Sequence, residues 1–292
     1  MISDHTKEWL GIFRLHRSDT FRKLFPIIVF LCVYTAGITY LELTHLELSD
    51  KSQLKNIPVM HSLLGFALSM LLVFRTNTAY DRWWEGRKLW GSLVNNSRNL
   101  AVKLGALLPA EDRQARSFFA KLISSFAAEL MRHLRLESTR YELDEEPHPE
   151  IPNFDTTKHV PNQVAGLILQ RLYQLEREGK ISGEQLLTLN PDITSFLDIC
   201  GACERIRNTP IPLSYSSFIK KFIFVFVITL PFGFVFNLGY ISIPIVAFIF
   251  YVLASLELIA EEIEEPFGVD ANDIPMAKLC ETIRKNVYDI LI

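Results

Sequence analysis

The apolar residues of the chain are concentrated in a few long runs. Leu24–Leu43 carries one charge, Glu42, and is long enough to cross a bilayer core of about 30 Å at about 1.5 Å per helical residue. Phe222–Ala260 is apolar almost throughout, and Asn237–Tyr240 interrupts it with a turn. This pattern predicts transmembrane helices at about 24–43, 222–236 and 241–260, the last two joined by a short hairpin.

A shorter run, Pro58–Phe74, also lacks formal charge. Its length is at the lower end of the range of about 17–25 residues that is typical of spanning helices. We predict a fourth span at about 58–74, and a buried core helix is the alternative by length.

The polar sequence between these runs has helical periodicity. Apolar residues recur every three or four positions in Leu89–Leu108, in Ser117–Leu136, from Val164 to Gly179 and again in Ile193–Arg207. Several prolines among charges mark Glu137–Gln163 as a loop. The expected fold is all-α, with four transmembrane helices and a large cytoplasmic helical region at 75–221, followed after the fourth span by a C-terminal cytoplasmic segment at 261–292.

Basic residues next to the spans predict the orientation in the membrane. Arg22 and Lys23 precede the first span, Arg75 follows the second, and Lys220 and Lys221 precede the third. Both termini and the region 75–221 are therefore expected in the cytoplasm.

Composition and motifs limit the chemistry that we expect. A hydrophobic fraction of 49% excludes a disordered chain, and a net charge of −3 gives no support to a nucleic-acid partner. The sequence contains no Gly-rich phosphate loop, no HExxH motif and no catalytic triad that spacing alone identifies. We therefore expect no enzyme activity, no cofactor and no metal.

Two features have a functional and a structural interpretation. Cys200 and Cys203 form one CxxC motif. A zinc site needs a second pair of ligands, and a thioredoxin-type redox site needs a βαβ context, and neither is visible. We therefore prefer the interpretation as two buried thiols over a role in a redox or metal protein. His61 is an ionisable group inside the second span. A hydrogen bond from His61 to a neighbouring helix is preferred over a functional role.

The second span carries a regular apolar row. Phe66, Met70 and Phe74 recur every four residues, so they lie on one helix face over about 12 Å. Gly65 beside this row would let another helix approach closely. A lipid-facing or packing stripe is the alternative to a pathway.

Acidic residues are concentrated after the fourth span. Glu257, Glu261 and Glu264 share a helix face, and like charges at this spacing destabilise a helix unless a cation compensates them. A cation pathway, a bound metal or a basic partner would each compensate. The alternative is the solvated acidic end of a cytoplasmic helix.

Three motifs make the chain resemble the bestrophin family, specifically its bacterial branch. They are GFALSMLLVFRTNTAYDRWWEGRKLWGSL from Gly65, GACERIRNTPIPLSY from Gly201 and IAEEIEEPFGVDANDIP from Ile259. Their order relative to the four spans agrees with the family over nearly the whole chain. The resemblance implies that residues 1–292 form a single channel unit, which assembles in the bacterial inner membrane as a homopentamer with its pore on the fivefold axis.

The resemblance also implies site residues. The three neck positions of the family fall on Phe66, Met70 and Phe74, and five copies would form three stacked apolar rings. A second, cytoplasmic constriction falls near Glu184, with Ile181 close by. A ring of five Glu184 carboxylates would attract cations.

The resemblance to the bacterial branch implies a cation channel, because this branch looks more like cation channels, and the acidic residues after the fourth span and the Glu184 ring agree with that. Animal bestrophins are calcium-activated anion channels whose calcium clasp follows Pro-Phe-Gly. Here Val269 and Ala271 follow Pro266–Gly268 and offer no side-chain oxygen, which serves calcium poorly. We predict a channel for small monovalent cations, and the alternatives are an anion channel, a non-conducting membrane scaffold and a redox protein. The expected partners are other copies of the chain, the lipid bilayer and small inorganic ions.

Overall fold

The structure, a computed structural model, describes residues 20–45, 57–135, 154–155 and 157–292. Within these ranges every regular element is a helix, as the predicted fold class requires. Most of the predicted loop Glu137–Gln163 lies outside the described residues, as does the loop between the first two predicted spans. The helices are α1 (Thr20–Tyr40), α2 (Ile57–Leu107), α3 (Arg113–Arg135), α4 (Val160–Arg177), α5 (Gly183–Asn208), α6 (Leu213–Leu238), α7 (Ser242–Glu264) and α8 (Met276–Leu291).

Helix α2 is longer than the sequence pattern predicts. The predicted span 58–74 and the predicted helix Leu89–Leu108 are parts of one helix of 51 residues. The connecting sequence from Arg75 to Lys88 contains no proline, and isolated glycines such as Gly86 cost a helix only about 1 kcal/mol each. The helix therefore continues through a largely polar stretch between the two predicted elements.

Helix α5 begins ten residues before the predicted start at Ile193. Its first turn is fixed by a capping box, in which Ser182 accepts a hydrogen bond from the backbone of Gln185 and the Gln185 side chain accepts one from the backbone of Ser182. Pro191 lies inside the helix, where a proline normally predicts an end. Burial of Leu189 in the core holds this first part of the helix in place.

The described residues divide into two compact units. The first unit contains the described residues of 1–81, together with Ile211–Glu264 and Asp270–Asn272, and the second contains the described residues of 82–210, together with Glu265–Val269 and Asp273–Ile292. In the first unit α1 packs on α7, and α7 packs on α6. A one-turn 3₁₀ helix, Gly239–Ile241, joins α6 to α7, and Gly239 has a φ of +52°, which favours glycine. The predicted hairpin is therefore confirmed.

The second unit is a helical body with its own core. Helix α3 packs on α8 and on α4, and α4 packs on α5. Each helix places an apolar face inside, and the largest buried side chains of the unit include Trp90, Phe119, Phe126 and Phe196. This arrangement is typical of a water-exposed helical domain.

Three helical stretches are long and apolar enough to cross a membrane: Thr20–Thr44, Ile57–Leu107 and Leu213–Glu264. The third stretch contains two helices, α6 and α7, because the 3₁₀ turn at Gly239 continues the helical backbone without a gap. The arrangement of four spans stays a prediction.

Candidate ion pathway

The three predicted neck residues lie on an exposed face of α2. The exposed fractions are 70% for Phe66, 45% for Met70 and 58% for Phe74. The opposite face of the helix is buried and presents Leu68 and Leu72 to the core of the first unit. Within a single chain the apolar row is therefore available for contact with other copies, lipid or a pathway.

Polar residues lie at both ends of this row. Ser62 lies one turn before Phe66, and Asn77 lies one turn after Phe74, and both are exposed. The Ser62 hydroxyl donates to the carbonyl of Pro58 at 2.9 Å. This internal hydrogen bond satisfies the hydroxyl within the helix itself. The face thus changes from polar to apolar and back along one helix.

Gly65 and His61 fix α2 against α6. The Phe226 ring lies 3.4 Å from the position that a Cβ of Gly65 would occupy, so the glycine permits the close approach that the sequence predicts. His61 is buried, its Nδ1 lies 3.0 Å from the carbonyl of Ile57, and its Nε2 lies 2.9 Å from the hydroxyl of Thr229 on α6. These contacts support the structural interpretation of His61.

The predicted acidic residues meet basic partners from the same chain. Arg75 on α2 is 1% exposed, and its guanidinium lies 2.6 Å from Glu264 and 3.5 Å from Glu257, both of which are buried. Glu261 is exposed and pairs with Lys220 at 2.8 Å. The cation that the acidic face requires is therefore supplied internally, and the role of these acids in attracting permeating ions stays a prediction.

Arg75 is the residue that sequence reasoning missed in this cluster. It stands directly after the apolar run, among the basic residues that predict the orientation in the membrane. Its signal is the position itself, because a buried arginine at the end of a span requires an acidic partner from another helix. Glu264 is further fixed by accepting the backbone N–H of Ile211 at 2.7 Å.

The two predicted residues of the cytoplasmic constriction occupy different environments. Glu184 lies in the first turn of α5 and is exposed. Ile181 is 4% exposed and packs in the core of the second unit, so its side chain has no free surface to line a pathway within this chain. Of this pair, only Glu184 remains available for the predicted role.

The CxxC motif is buried, and Arg82 of α2 has structural partners. Burial raises the pKa of Cys200 to about 12 and also raises the pKa of Cys203, so both thiols stay protonated and unreactive near neutral pH. Arg82 donates to the carbonyls of Ile206 and Thr209 at the C-terminal end of α5. This arginine therefore caps a helix.

Known proteins are similar to the chain over most of its length. A model of the family described as Bacterial/Fungal Bestrophin protein matches residues 1–289. A voltage-dependent anion channel-forming protein of Nostoc sp. is 38% identical over 247 residues, which cover 82% of this chain and 80% of that protein. The voltage-dependent anion channel-forming protein YneE of Escherichia coli K12 is 34% identical over 223 residues, which cover 76% and 73%.

Solved structures extend this similarity to the fold. A bacterial bestrophin homolog from Klebsiella pneumoniae is 30% identical, with a TM-score of 0.79 over 92% of this chain and 99% of that one. A crystal structure described as a membrane protein is 28% identical, with a TM-score of 0.83 over 92% and 97%. The chain belongs to the bacterial and fungal bestrophin family, and the resemblance seen in the sequence is confirmed.

Proposed function

We propose that five copies of this bestrophin-family chain enclose a passive ion channel across the inner membrane, with both termini in the cytoplasm. Phe66, Met70 and Phe74 would form three stacked apolar rings at its neck. The observation that carries the proposal is the exposed apolar row of α2, which lies between polar Ser62 and Asn77. An apolar constriction between polar ends can gate by dewetting or by side-chain movement.

The assembly is tested first. One α2 helix cannot enclose a pore, so the channel requires several copies. Native mass spectrometry of the detergent-solubilised chain should give a pentamer. A monomer or dimer under these conditions would favour the membrane scaffold instead.

The neck is tested by removing its side chains. Phe66, Met70 and Phe74 are replaced together by alanine, which should widen the constriction and raise ion flux in proteoliposomes several-fold or more. Phe30→Ala and Phe248→Ala are matched controls, because both residues are exposed phenylalanines of other helices. Unchanged flux in the triple variant would show that these residues do not limit conduction.

We further propose that the channel selects small monovalent cations. Asp81 is exposed on the same face of α2 as the neck, two turns after Phe74, and Glu184 is exposed in the first turn of α5. Five copies would turn each of these positions into a ring of carboxylates, which attracts cations and disfavours anions.

An anion channel of the same architecture is the second candidate. The relatives from Nostoc and Escherichia coli are named anion channel-forming proteins, and Lys88 falls on the face of α2 that carries the neck. A ring of lysines would attract anions.

The reversal potential separates these two candidates. The protein is reconstituted in liposomes under a potassium chloride gradient, and the cation channel should reverse near the potassium equilibrium potential. A reversal potential at the chloride equilibrium potential would favour the anion channel. Replacing Cys200 and Cys203 by serine should leave the current unchanged, whereas loss of current without loss of assembly would favour a role of the thiols.

A further inference from the structure

Three side chains from separate elements converge in the second unit. His133 lies in the last turn of α3, His159 directly precedes α4, and Glu204 lies on α5. The Nε2 atoms of His133 and His159 lie 2.6 Å and 2.7 Å from the same carboxylate oxygen, Oε1 of Glu204. One ligand atom from each of the three residues lies within 4.8 Å of the other two.

The surrounding helices hold this cluster in place. Arg207 donates to the backbone carbonyl of His133 at 2.8 Å, and His159 Nδ1 accepts the backbone N–H of Asn162 at 3.2 Å as the N-cap of α4. Each of the three side chains is about 30% exposed, so an ion can reach them from solvent. The cluster is therefore both fixed and accessible.

The ligand set indicates a class of ion. Two imidazoles and one carboxylate are the donors that zinc and neighbouring transition metals accept, often with water in the fourth position. Calcium and magnesium prefer shells of six or more oxygens, which this cluster does not provide. We propose that His133, His159 and Glu204 bind one zinc ion or a similar divalent transition metal ion.

The present distances are those of hydrogen bonds. A tetrahedral zinc site separates neighbouring ligand atoms by about 3.3 Å, so each histidine has to move from the carboxylate by about 0.6 Å. Partial burial opposes ionisation of Glu204, but the hydrogen bonds from His159 and His133 outweigh it, and the pKa of Glu204 lies below its ordinary value.

Metal binding also has a local cost. When Nε2 of His159 binds the ion, its proton moves to Nδ1, and Nδ1 can no longer accept the N–H of Asn162. The loss of this cap weakens the start of α4. Metal bonds to α3 and α5 compensate, because they hold the same residue from two sides.

The position of the two histidines gives the site a structural consequence. His133 and His159 stand at either end of chain segment 134–158, so an ion bound to both closes this segment into a loop. Because the unfolded chain does not hold the three ligands together, the free energy of metal binding adds to the stability of the folded chain. The bound metal would therefore stabilise the second unit.

Zinc binding to the full-length, detergent-solubilised protein tests the proposal. After EDTA treatment and buffer exchange, calorimetric titration with zinc should give one site per chain, and zinc should raise the melting temperature. Cobalt in place of zinc should produce visible absorption bands of a low-symmetry site. His133→Ala, His159→Ala and Glu204→Gln should each weaken zinc binding about tenfold or more.

Two controls keep the result specific. Glu85→Gln removes another carboxylate of the second unit. Glu85 pairs with Arg205, which follows Glu204 on α5, and its loss should not change the zinc affinity. Replacing Cys200 and Cys203 by serine should also leave the affinity and the cobalt spectrum unchanged. Equal zinc binding by wild-type protein and by His133→Ala/Glu204→Gln would overturn the proposal, as would the absence of a zinc-induced rise in melting temperature in the wild-type protein. For Glu204→Gln, an unchanged metal-free melting temperature separates lost binding from lost folding.

Discussion

Exposed large apolar side chains are concentrated in the first unit. In the first unit Phe66, Phe248 and Val33 are exposed, whereas in the second unit Phe126 and Phe196 are fully buried. The second unit behaves as a domain in water, whose stability depends on removing apolar surface from the solvent. In lipid that driving force is lost, so the first unit has to gain its stability from close packing and from polar contacts between helices.

One ion-pair cluster from each unit gives a second contrast. In the first unit Arg75 is buried with Glu257 and Glu264, whereas in the second unit Lys180 and Asp112 form an ion pair near the surface. A buried cluster is costly to break because each remaining charge loses its compensation, whereas an exposed pair contributes little. The two units should therefore respond differently to equivalent substitutions.

Core truncation should separate the units most clearly. The ring of Phe126 stacks on that of Phe196 at 4.9 Å between centroids, and Phe126→Ala should lower the free energy of unfolding by about 3–5 kcal/mol. Phe248→Ala in the first unit should cost much less, because the detergent that covers this side chain also covers alanine. Thermal melting followed by circular dichroism measures both. An equally large effect of Phe248→Ala would show that this face of α7 is buried in the assembly.

Deleting the buried charge of Arg75 should strongly destabilise the first unit, in contrast to the truncation of Phe248. Arg75→Met leaves Glu257 and Glu264 buried without their cation, so we expect a loss of about 3–5 kcal/mol in the first unit. Lys220→Met is the control, because its pair with Glu261 is about half exposed and should contribute about 0–1 kcal/mol.

A triple variant that also removes the two acidic charges sharpens this test. Glu257→Gln and Glu264→Gln, added to Arg75→Met, remove both uncompensated charges and should restore most of the melting temperature. If Arg75→Met alone melts like the wild-type protein, the cluster is not a source of stability. The readout is the loss of the monodisperse peak on size-exclusion chromatography after heating.

The fold could be predicted from the sequence where patterns are local. Apolar runs identified α1, α6 and α7, and Asn237–Tyr240 identified the turn between the last two. The continuity of α2 and the early start of α5 were not predicted, because Arg75–Lys88 is largely polar and Pro191 normally ends a helix. For α5 the burial of Leu189 outweighs the proline, and such tertiary packing does not appear in a single sequence.

The candidate sites differ in the same way. The row Phe66, Met70 and Phe74 follows from helical periodicity and the family motif, since all three residues lie on one helix. The cluster of His133, His159 and Glu204 joins three elements that are far apart in the chain, and no spacing rule connects them. Sequence reasoning finds sites within one element and misses sites that form by convergence.

The smallest expected effect concerns a surface charge of the second unit. Asp112 accepts the backbone N–H of Ala115 at 3.1 Å and the Lys180 ammonium at 3.0 Å, and these two hydrogen bonds hold the pKa of Asp112 below its ordinary value. A lowered pKa gives stability that is fully present above the unfolded-state value of about 3.9 and is lost as the pH falls through the folded-state value.

Asp112→Asn keeps an acceptor for Ala115 but does not titrate, so its stability should fall less than that of the wild-type protein below about pH 4, by at most about 1 kcal/mol. Urea unfolding of both proteins between pH 7 and pH 3 measures the difference. If the free energies of unfolding of the two proteins change with pH in parallel, the charge of Asp112 contributes nothing to folding. This exposed ion pair would then contribute even less to stability, relative to the buried cluster of Arg75, than we expect.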